Sequence, residues 1–227
     1  MLGRAQKLIL AGCLLTGWCV ADLLGLSNLQ LQQAQSRWGP SAAVRLLAWN
    51  NLTQQLRSRP EGEQVEAVNR FIDTLPYISD AEHWHQEDYW ATPYEMIGSD
   101  GGDCEDYALA KYFTLRTLGV PDSRLRMTYV EALSINQPHM VLAWYPAPGQ
   151  EPLILDSLVK KILPASQRPD LLPIYSFNAD GMWVSGEEEQ DGPVNNGQGL
   201  DKWQDVLLRM RNQPGSYYPG FPVRTAP

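Results

Sequence analysis

Cysteine is scarce in this sequence, and its scarcity limits what thiol chemistry the chain can perform. Three cysteines occur in 227 residues, and two of them, Cys13 and Cys19, lie close to the N-terminus. If that segment is removed, one thiol remains, at Cys104, and an internal disulfide is excluded. A buried, inert cysteine is the ordinary explanation of a single thiol, because the side chain behaves as a small hydrophobic group. The residues around Cys104 therefore decide whether it is structural or reactive.

An excess of basic residues and an internal repeat are also missing. The formal net charge is -8, which argues against nucleic acid and anionic lipid surfaces as partners. No sequence period indicates a repeat architecture. With 44% hydrophobic residues, the chain beyond its N-terminal segment has enough apolar material for one core, and we expect a single domain at 27–227.

A full-length membrane span is lacking as well. Arg4 and Lys7 precede an apolar run from Leu8 to Leu26, which is the layout of a secretory signal peptide or a short anchor. Asp22 interrupts this run and leaves about 14 uncharged residues, where a spanning helix needs about 20. We therefore predict that 1–26 is a signal peptide or an N-terminal anchor, with cleavage favoured, and that the mature protein leaves the cytoplasm.

Helical periodicity in the first half of the chain gives way to strand-like alternation in the second half. The segment from Cys104 ends at stop signals, Gly119 and Pro121. Helices followed by strands indicate an α+β fold with an antiparallel sheet. The predicted helices are 41–58 (with Val44, Leu47, Ala48 and Leu52 inward), 63–74, a short one from Thr92, 104–118 and 200–211; the predicted strands are 124–131, 139–145, 151–159 and a weaker 174–184; an acidic loop is predicted at 187–197.

Cys104 follows Gly101-Gly102-Asp103 at the predicted start of a helix. Unpaired backbone N–H groups and the macrodipole at a helix N-terminus favour a thiolate. The same N–H groups can receive the oxyanion that forms when a thiolate attacks a carbonyl. The glycine pair allows the chain to enter the turn closely. This placement makes Cys104 a candidate nucleophile.

His139 and Asp156 lie on two predicted strands that a short turn joins. If 146–149 is a four-residue hairpin loop, His139 faces Asp156 directly across the strand pair. Directly opposed residues have Cβ atoms about 4.5 to 5.5 Å apart, so that Asp156 would orient the imidazole toward Cys104. The sequence therefore contains a thiol, an imidazole and a carboxylate in the order of a cysteine-protease triad.

Carboxylates surround the thiol, since Asp103, Glu105 and Asp106 are its neighbours in the chain. Three negative charges oppose thiolate formation. One explanation is that Asp103 caps the helix while Glu105 and Asp106 complement its dipole. The other is a hard cation, with Ca²⁺ preferred because it takes oxygen ligands in flexible geometry. The spacing matches no EF-hand loop, and the role of Asp106 in particular stays open.

The string Gly-Gly-Asp-Cys-Glu-Asp-Tyr-Ala, the Pro-His-Met-Val strand and the Leu-Asp-Ser-Leu strand together resemble the bacterial transglutaminase-like cysteine proteinases, in particular the periplasmic adhesin-releasing proteases of the LapG type. The resemblance covers about residues 38 to 211. It implies a papain-like or transglutaminase-like fold in which N-terminal helices, including the nucleophile helix, pack on an antiparallel sheet. It also implies that Cys104 is the nucleophile, His139 the general base and acid, and Asp156 the orienting carboxylate.

The resemblance carries further expectations about cofactor and partners. Proteases of this kind depend on calcium, and their metal-binding carboxylates map here to Asp103 and Glu105. They cleave the N-terminal region of a large cell-surface adhesin, commonly beside paired alanines, and so release cells from a biofilm. The periplasmic domain of an inner-membrane cyclic-di-GMP receptor holds them inactive. We expect the same substrate, inhibitor and periplasmic location for this chain.

Two other functions use the same residues. A transglutaminase-like amide transferase has this triad but lets an amine resolve the thioester. A binding module could keep the fold and lose catalysis. Incorporation of an amine without cleavage would indicate the first, and failure of a thiol reagent to label Cys104 selectively would indicate the second.

Overall fold

Helices occupy the first half of the described chain and strands most of the second, as the sequence predicts for an α+β fold. The computed structural model describes residues 25–184 and 197–212. The helices are α1 (Asn28–Trp38), α2 (Pro40–Leu56), α3 (Glu61–Ile72), α4 (Asp80–His83), α5 (Pro93–Ser99), α6 (Cys104–Thr117) and α7 (Gly197–Asn212), and the strands are β1 (Leu125–Ala132), β2 (Gln137–Trp144), β3 (Leu153–Leu155), β4 (Leu163–Pro164), β5 (Leu171–Phe177) and β6 (Met182–Val184).

Two predictions fall almost entirely outside the described residues. The signal peptide or anchor at 1–26 has its first 24 residues there, and so does most of the acidic loop at 187–197. Within the described ranges, no helix has the length and apolar character that a membrane crossing requires. The N-terminal segment and the bounds of the domain at 27–227 stay predictions.

Helix α6, which begins at the candidate nucleophile, lies in the middle of the core. Its residues from Asp106 to Leu115 are all buried, as expected for a helix that is covered on every side. The polar ones have partners: Thr114 accepts a hydrogen bond from the Trp49 indole at 2.9 Å, and Lys111 forms an ion pair with Asp73 at 2.7 Å. A helix held this way presents its N-terminus from a rigid support.

Helix α2 buries a different face from the one predicted. Val44 and Leu47 are 67% and 42% exposed, whereas Leu46 and Trp49 are almost fully buried. The two sets lie on roughly opposite sides of a helix with 3.6 residues per turn. The prediction was wrong because it followed the aliphatic stripe, while burying the much larger indole of Trp49 removes more apolar surface from water.

The six described strands form one antiparallel sheet in the order β4-β3-β2-β1-β5-β6. The central hairpin pairs Leu125 with Trp144 and Ala132 with Gln137, so that β1 and β2 are matched along their whole length. Helix α6 packs against β2. This contact brings the N-terminus of α6 to the strand that carries His139.

The β2–β3 pair has a register that differs from the predicted one. Trp144 pairs with Leu153, two residues further along the chain than predicted. Pro152 has no N–H to donate to the ladder, which is consistent with pairing that starts only at Leu153. A displacement of two residues keeps every side chain on its face. The last pair of this ladder is Leu142 with Leu155, so Asp156 lies just beyond β3 and does not face His139 directly as predicted.

Helix α7 closes the core with an aromatic cluster. Trp203 is buried and stacks on Phe113 of α6 with ring centroids 5.4 Å apart, and its ring meets the edges of Tyr112 and Phe177. These contacts explain why 200–211, predicted as a helix from its spacing, docks on α6 and the sheet.

Candidate active site

The turn before Cys104 admits only glycine at two positions. A Cβ at Gly101, where φ is +151°, would lie 2.9 Å from the carbonyl oxygen of Pro76, and one at Gly102 would lie 2.3 Å from Asp106 Oδ2. The Ile78 N–H donates to the Gly102 carbonyl at 2.9 Å. The segment before α4 therefore fixes the turn from which Cys104 starts the helix.

The thiol of Cys104 lies among hydrogen-bonding groups at the start of α6. Its Sγ donates to Glu105 Oε2 at 3.0 Å, and the backbone N–H of Met140 approaches the sulfur. Burial raises the pKa of the thiol well above its usual value, and the charges of Glu105 and Asp103 add to the rise. Burial is the largest cause, and the neighbouring carboxylates act in the same direction, as the sequence predicts.

His139 and Asp156 form the predicted pair. Nε2 of the imidazole and Oδ1 of the carboxylate are 2.7 Å apart, and the two residues are 3% and 1% exposed. Because a carboxylate accepts, Nε2 is the ring nitrogen that carries the proton, and Nδ1 is left as an acceptor. An imidazole held in this tautomer has the nitrogen that a thiol needs as its base.

The carboxylate of Asp156 stays ionised although it is buried. Burial acts to raise its pKa, but the hydrogen bonds from His139, the Leu158 N–H and Arg168 outweigh burial and hold the pKa below its usual value. The Leu158 N–H donates to Oδ1 at 2.9 Å, and Arg168 Nη2 lies 2.6 Å from Oδ2. The contact of Arg168 with Asp156 was not predicted, because no local sequence pattern connects the two residues.

The three predicted triad residues are brought to one region, but not all into direct contact. His139 bonds Asp156, whereas the described hydrogen bonds join Cys104 to Glu105 and to the backbone of Met140, the residue after His139. Strand β2 thus places the imidazole one residue away from the backbone group that touches the thiol.

A cluster of carboxylates adjoins Cys104, and in it Asp80 and Asp106 are buried while Asp88 is exposed. Ligand oxygens from Asp80, Asp103 and Asp106 lie within 4.8 Å of one another, and so do those from Asp80, Asp88 and Glu105. Asp80 Oδ1, Asp103 Oδ1 and Asp106 Oδ2 are buried without a hydrogen-bond partner. Unpaired buried oxygens from several acids are the ligand set that a hard divalent cation such as Ca²⁺ takes.

Two of these acids are anchored by one oxygen, which leaves the other oxygen for a ligand. Asp106 Oδ1 accepts from the Ala91 N–H at 2.6 Å, and Asp80 Oδ2 accepts from the Tyr89 N–H at 2.5 Å. Asp103 occupies the N-cap position of α6, but its side chain makes no capping hydrogen bond. The capping explanation of Asp103 therefore does not hold, and Asp106, which the sequence left open, belongs to the cluster.

Burial and mutual repulsion of the negative charges raise the pKa values of the acids in the cluster. Burial and then the charge of Glu105 raise the pKa of Asp103 to about 8, and burial raises that of Asp80 to about 6. Burial also raises the pKa of Asp106 well above its usual value. The predicted ligands Asp103 and Glu105 both belong to the cluster. Asp80, at the start of α4, is an additional acid, and no sequence spacing connects it with Cys104.

Exposed aromatic rings lie beside the nucleophile. Tyr77 is 55% exposed and stacks on Tyr107 of α6 at 6.3 Å, while its backbone pairs with Gly102. Tyr129 of β1 and Tyr175 of β5 stack at 5.0 Å.

Comparison with known proteins places these features in a family. Residues 49–191 match the model of the bacterial transglutaminase-like cysteine proteinases. A solved structure of Legionella pneumophila LapG is 45% identical, with a TM-score of 0.67, and the match covers 80% of this chain and 95% of that one. An EGTA-treated form is 45% identical with a TM-score of 0.69, over 80% and 95% of the two chains.

A calcium-bound form of Legionella pneumophila LapG is also similar. It is 43% identical with a TM-score of 0.69, and the match covers 82% of this chain and 99% of that one. A search of curated proteins finds no match.

Proposed function

Because the chain belongs to the bacterial transglutaminase-like cysteine proteinases, we propose that it is a calcium-dependent periplasmic cysteine endopeptidase that cleaves the N-terminal region of a large cell-surface adhesin. Its cleavage releases the adhesin and so promotes dispersal of a biofilm. The catalytic residues of this proposal are Cys104, His139 and Asp156.

One observation carries the proposal. Cys104 starts a buried helix directly beside the backbone of Met140, and the preceding residue, His139, is held by Asp156 at 2.7 Å in the tautomer that leaves Nδ1 as an acceptor. A nucleophile, a base and a residue that orients the base are the minimum for acyl transfer through a covalent intermediate.

The reaction follows from these groups. Cys104 Sγ gives its proton to Nδ1 of His139 and attacks the peptide carbonyl carbon. The imidazolium returns that proton to the amine nitrogen as the C–N bond breaks, which leaves a thioester on Cys104. A water molecule that His139 deprotonates then attacks the thioester carbon, and the thiol recovers its proton. Asp156 stabilises the imidazolium in both halves of the reaction.

The acidic cluster fits calcium. Asp103 and Glu105, with Asp80 and Asp106, would hold the ion, and three of these acids keep a buried oxygen without a partner. Bound there, calcium offsets the negative charge that opposes thiolate formation. The calcium-bound LapG of Legionella pneumophila supports this assignment.

Location and partners follow from the family alone. We propose that the N-terminal segment directs export to the periplasm. The substrate is then a surface adhesin with a cleavage site beside paired alanines, and the inhibitor is the periplasmic domain of a cyclic-di-GMP receptor in the inner membrane.

The test is cleavage of an adhesin N-terminal fragment by purified residues 27–227. We expect cleavage with added calcium, none with a strong chelator, and none by Cys104→Ala under either condition. Circular dichroism of Cys104→Ala should match the wild type, because alanine replaces a small side chain at a helix start. Retained cleavage in Cys104→Ala would remove the nucleophile assignment, and unchanged cleavage under the chelator would remove the calcium dependence.

The same preparation separates the two other functions. Incorporation of a labelled amine into the fragment without cleavage would indicate an amide transferase. An absence of both reactions, together with failure of a thiol reagent to label Cys104 selectively, would indicate a binding module.

A further inference from the structure

Arg168 is a buried cation that touches the carboxylate behind the catalytic imidazole. Its side chain is almost fully buried, with Nη2 at 2.6 Å from Asp156 Oδ2 and 2.8 Å from Asp170 Oδ2. Nε donates to Asp170 Oδ1 at 3.0 Å. The guanidinium therefore lies between two carboxylates, and Asp156 lies between the guanidinium and His139.

Each oxygen of Asp156 has its own partners. Oδ1 accepts from His139 and from the Leu158 N–H, while Oδ2 accepts from Arg168. With Oδ2 held, rotation of the carboxylate about its Cβ–Cγ bond would break the contact with Arg168. Arg168, which does not touch the imidazole, thus fixes the direction in which Asp156 Oδ1 faces His139 Nε2.

The backbone around Arg168 is itself fixed. The Ala165 N–H donates to the Pro152 carbonyl at 3.0 Å, the Leu171 N–H donates to the Arg168 carbonyl at 3.1 Å, and the Leu133 N–H donates to the Asp170 carbonyl at 2.8 Å. These bonds join the segment to the start of β3, to β5 and to the β1–β2 turn. The guanidinium is consequently presented from a rigid frame, as positioning of a reacting group requires.

A contribution to folding stability does not by itself explain why Arg168 and Asp156 are buried together. Taking a guanidinium and a carboxylate out of water costs several kcal/mol per ion in general, and well-packed apolar residues of similar volume are often at least as stable. Arg168 Nη1 is moreover buried without a partner. What the pair provides beyond packing is an ionised carboxylate in one orientation.

We propose that Arg168 is a positioning residue of the active site, which holds Asp156 so that Oδ1 faces His139 Nε2, while Asp170 holds Arg168 from the other side. This inference rests on the proposed function, since it assigns Arg168 to the triad Cys104, His139 and Asp156. Arg168 acts through Asp156 and makes no contact with the peptide.

Kinetics of Arg168→Met and Arg168→Lys provide the first test. Methionine fills much of the space without charge, and we expect kcat to fall about 10- to 100-fold, the scale of a misplacement of about 1 Å. KM should change less than about twofold, because a residue behind Asp156 does not bind substrate. Lysine restores a point charge but not the fork that spans two carboxylates, and it should recover only part of kcat.

A spectroscopic readout does not depend on cleavage. The Nε2 proton of His139, shared with a carboxylate in a buried site, is expected to give a resolved downfield proton resonance in NMR. The chain has three histidines, so His139→Gln identifies the signal. We expect Arg168→Met to remove or shift this resonance, and Asp170→Asn to shift it less.

Arg124 offers a matched control at the other end of β2. It pairs with Glu61 at 3.0 Å and also bonds the carbonyls of Tyr145 and Pro146. Arg124→Met should lower the unfolding temperature, but kcat should stay within about twofold and the His139 resonance should not move, since five residues of strand, about 17 Å, separate His139 from Trp144.

The outcomes are distinct. An Arg168→Met protein that folds, keeps the resonance and has wild-type kcat would overturn the inference, and so would an equal loss of kcat in Arg124→Met. If Arg168→Met does not fold, Arg168→Lys and Asp170→Asn decide by the same two readouts. A wild type that cleaves nothing, but whose resonance disappears in Arg168→Met, would support the positioning role and contradict the proposed substrate.

Discussion

Two groups of acids lie at the candidate site: Asp156 with Asp170, and the acidic cluster beside Cys104. They differ in how their carboxylate oxygens are used. Both oxygens of Asp156 accept hydrogen bonds, and Arg168 balances its charge. In the acidic cluster beside Cys104, Asp80, Asp103 and Asp106 each keep one buried oxygen without a partner. An unpaired buried polar group is costly. The oxygens of Asp156 and Asp170 are paired as the chain folds, and we call these two acids with Arg168 the complete group. A bound cation would pair the remaining oxygens of the acidic cluster.

The two groups therefore affect the Cys104 thiol in different ways. The Asp156 group supplies a base with a fixed tautomer, which requires no further component. The acidic cluster raises the pKa of Cys104 through the charges of Glu105 and Asp103, in addition to burial. In the proposed enzyme, the folded chain alone would hold the base in place, whereas ionisation of Cys104 would depend on a bound cation.

The largest expected effect is on the calcium response. In Asp106→Asn, and likewise in Asp103→Asn, saturating calcium should no longer raise the free energy of unfolding, whereas in the wild type an ion at 100 times its Kd contributes about 2.7 kcal/mol. In chelator the order should reverse, and the variants should be at least as stable as the wild type, because each substitution removes an acid whose ionised form is disfavoured by burial and by neighbouring carboxylates. Urea unfolding with and without calcium measures both.

Asp170→Asn is the matched control for that experiment, since Asp170 belongs to the complete group. It should lose a small amount of stability in both conditions and keep the calcium response. An equal calcium response in Asp103→Asn, Asp106→Asn and the wild type would show that the cluster is not the metal site.

A substitution at Gly102, in the turn before Cys104, tests whether the position of the Asp106 carboxylate matters for calcium binding. In Gly102→Ala the new Cβ would lie 2.3 Å from Asp106 Oδ2, so that the carboxylate must move. We expect a loss of about 1 to 3 kcal/mol in stability and a calcium affinity at least tenfold weaker, measured by isothermal titration calorimetry. Gly119→Ala is the control.

Gly119 has a φ of +96° and no atom within 4 Å of a new Cβ. Alanine there should cost about 1 to 2 kcal/mol through backbone strain alone, with unchanged calcium affinity. If calorimetry gives the same affinity for Gly102→Ala, the position of Asp106 does not matter for the ion.

The complete group was easier to predict from the sequence than the cluster, and the reason is local geometry. His139 lies on β2 and Asp156 directly follows the neighbouring strand β3. The predicted contact was found in spite of a wrong register, because a displacement of two residues changes no face. Cys104 was recognisable from the glycine pair and the helix that follows it. Each of these inferences needed only neighbouring segments.

Asp80 and Arg168 required tertiary information. Asp80 reaches the cluster because the segment before α4 pairs with the nucleophile turn, and Arg168 reaches Asp156 from a turn beyond β4. Neither contact follows a helical or strand period. The inward face of α2 was mistaken for a related reason, since the partner of Trp49 is Thr114 on a distant helix.

The smallest expected effect is the pH dependence that the complete group gives to stability. The titratable groups near Asp156 are His139, Arg168, Asp170, Lys111 and Asp73. Although burial opposes it, hydrogen bonding lowers the pKa of Asp156 in the folded protein, below the value of about 3.9 in an unfolded chain. Its ionisation therefore adds stability above about pH 5, and this contribution is lost as the pH falls through the folded pKa.

The wild type should consequently exceed Asp156→Asn in free energy of unfolding most at pH 6 to 7, and the difference should shrink toward pH 3. Urea unfolding in chelator across this range measures it, because the absence of calcium removes the contribution of the other group of acids. A difference that stays constant with pH would mean that Asp156 gains nothing from ionisation in the fold. Ionisation would then not distinguish Asp156 from the acidic cluster, and the contact with Arg168 would not stabilise a charged carboxylate.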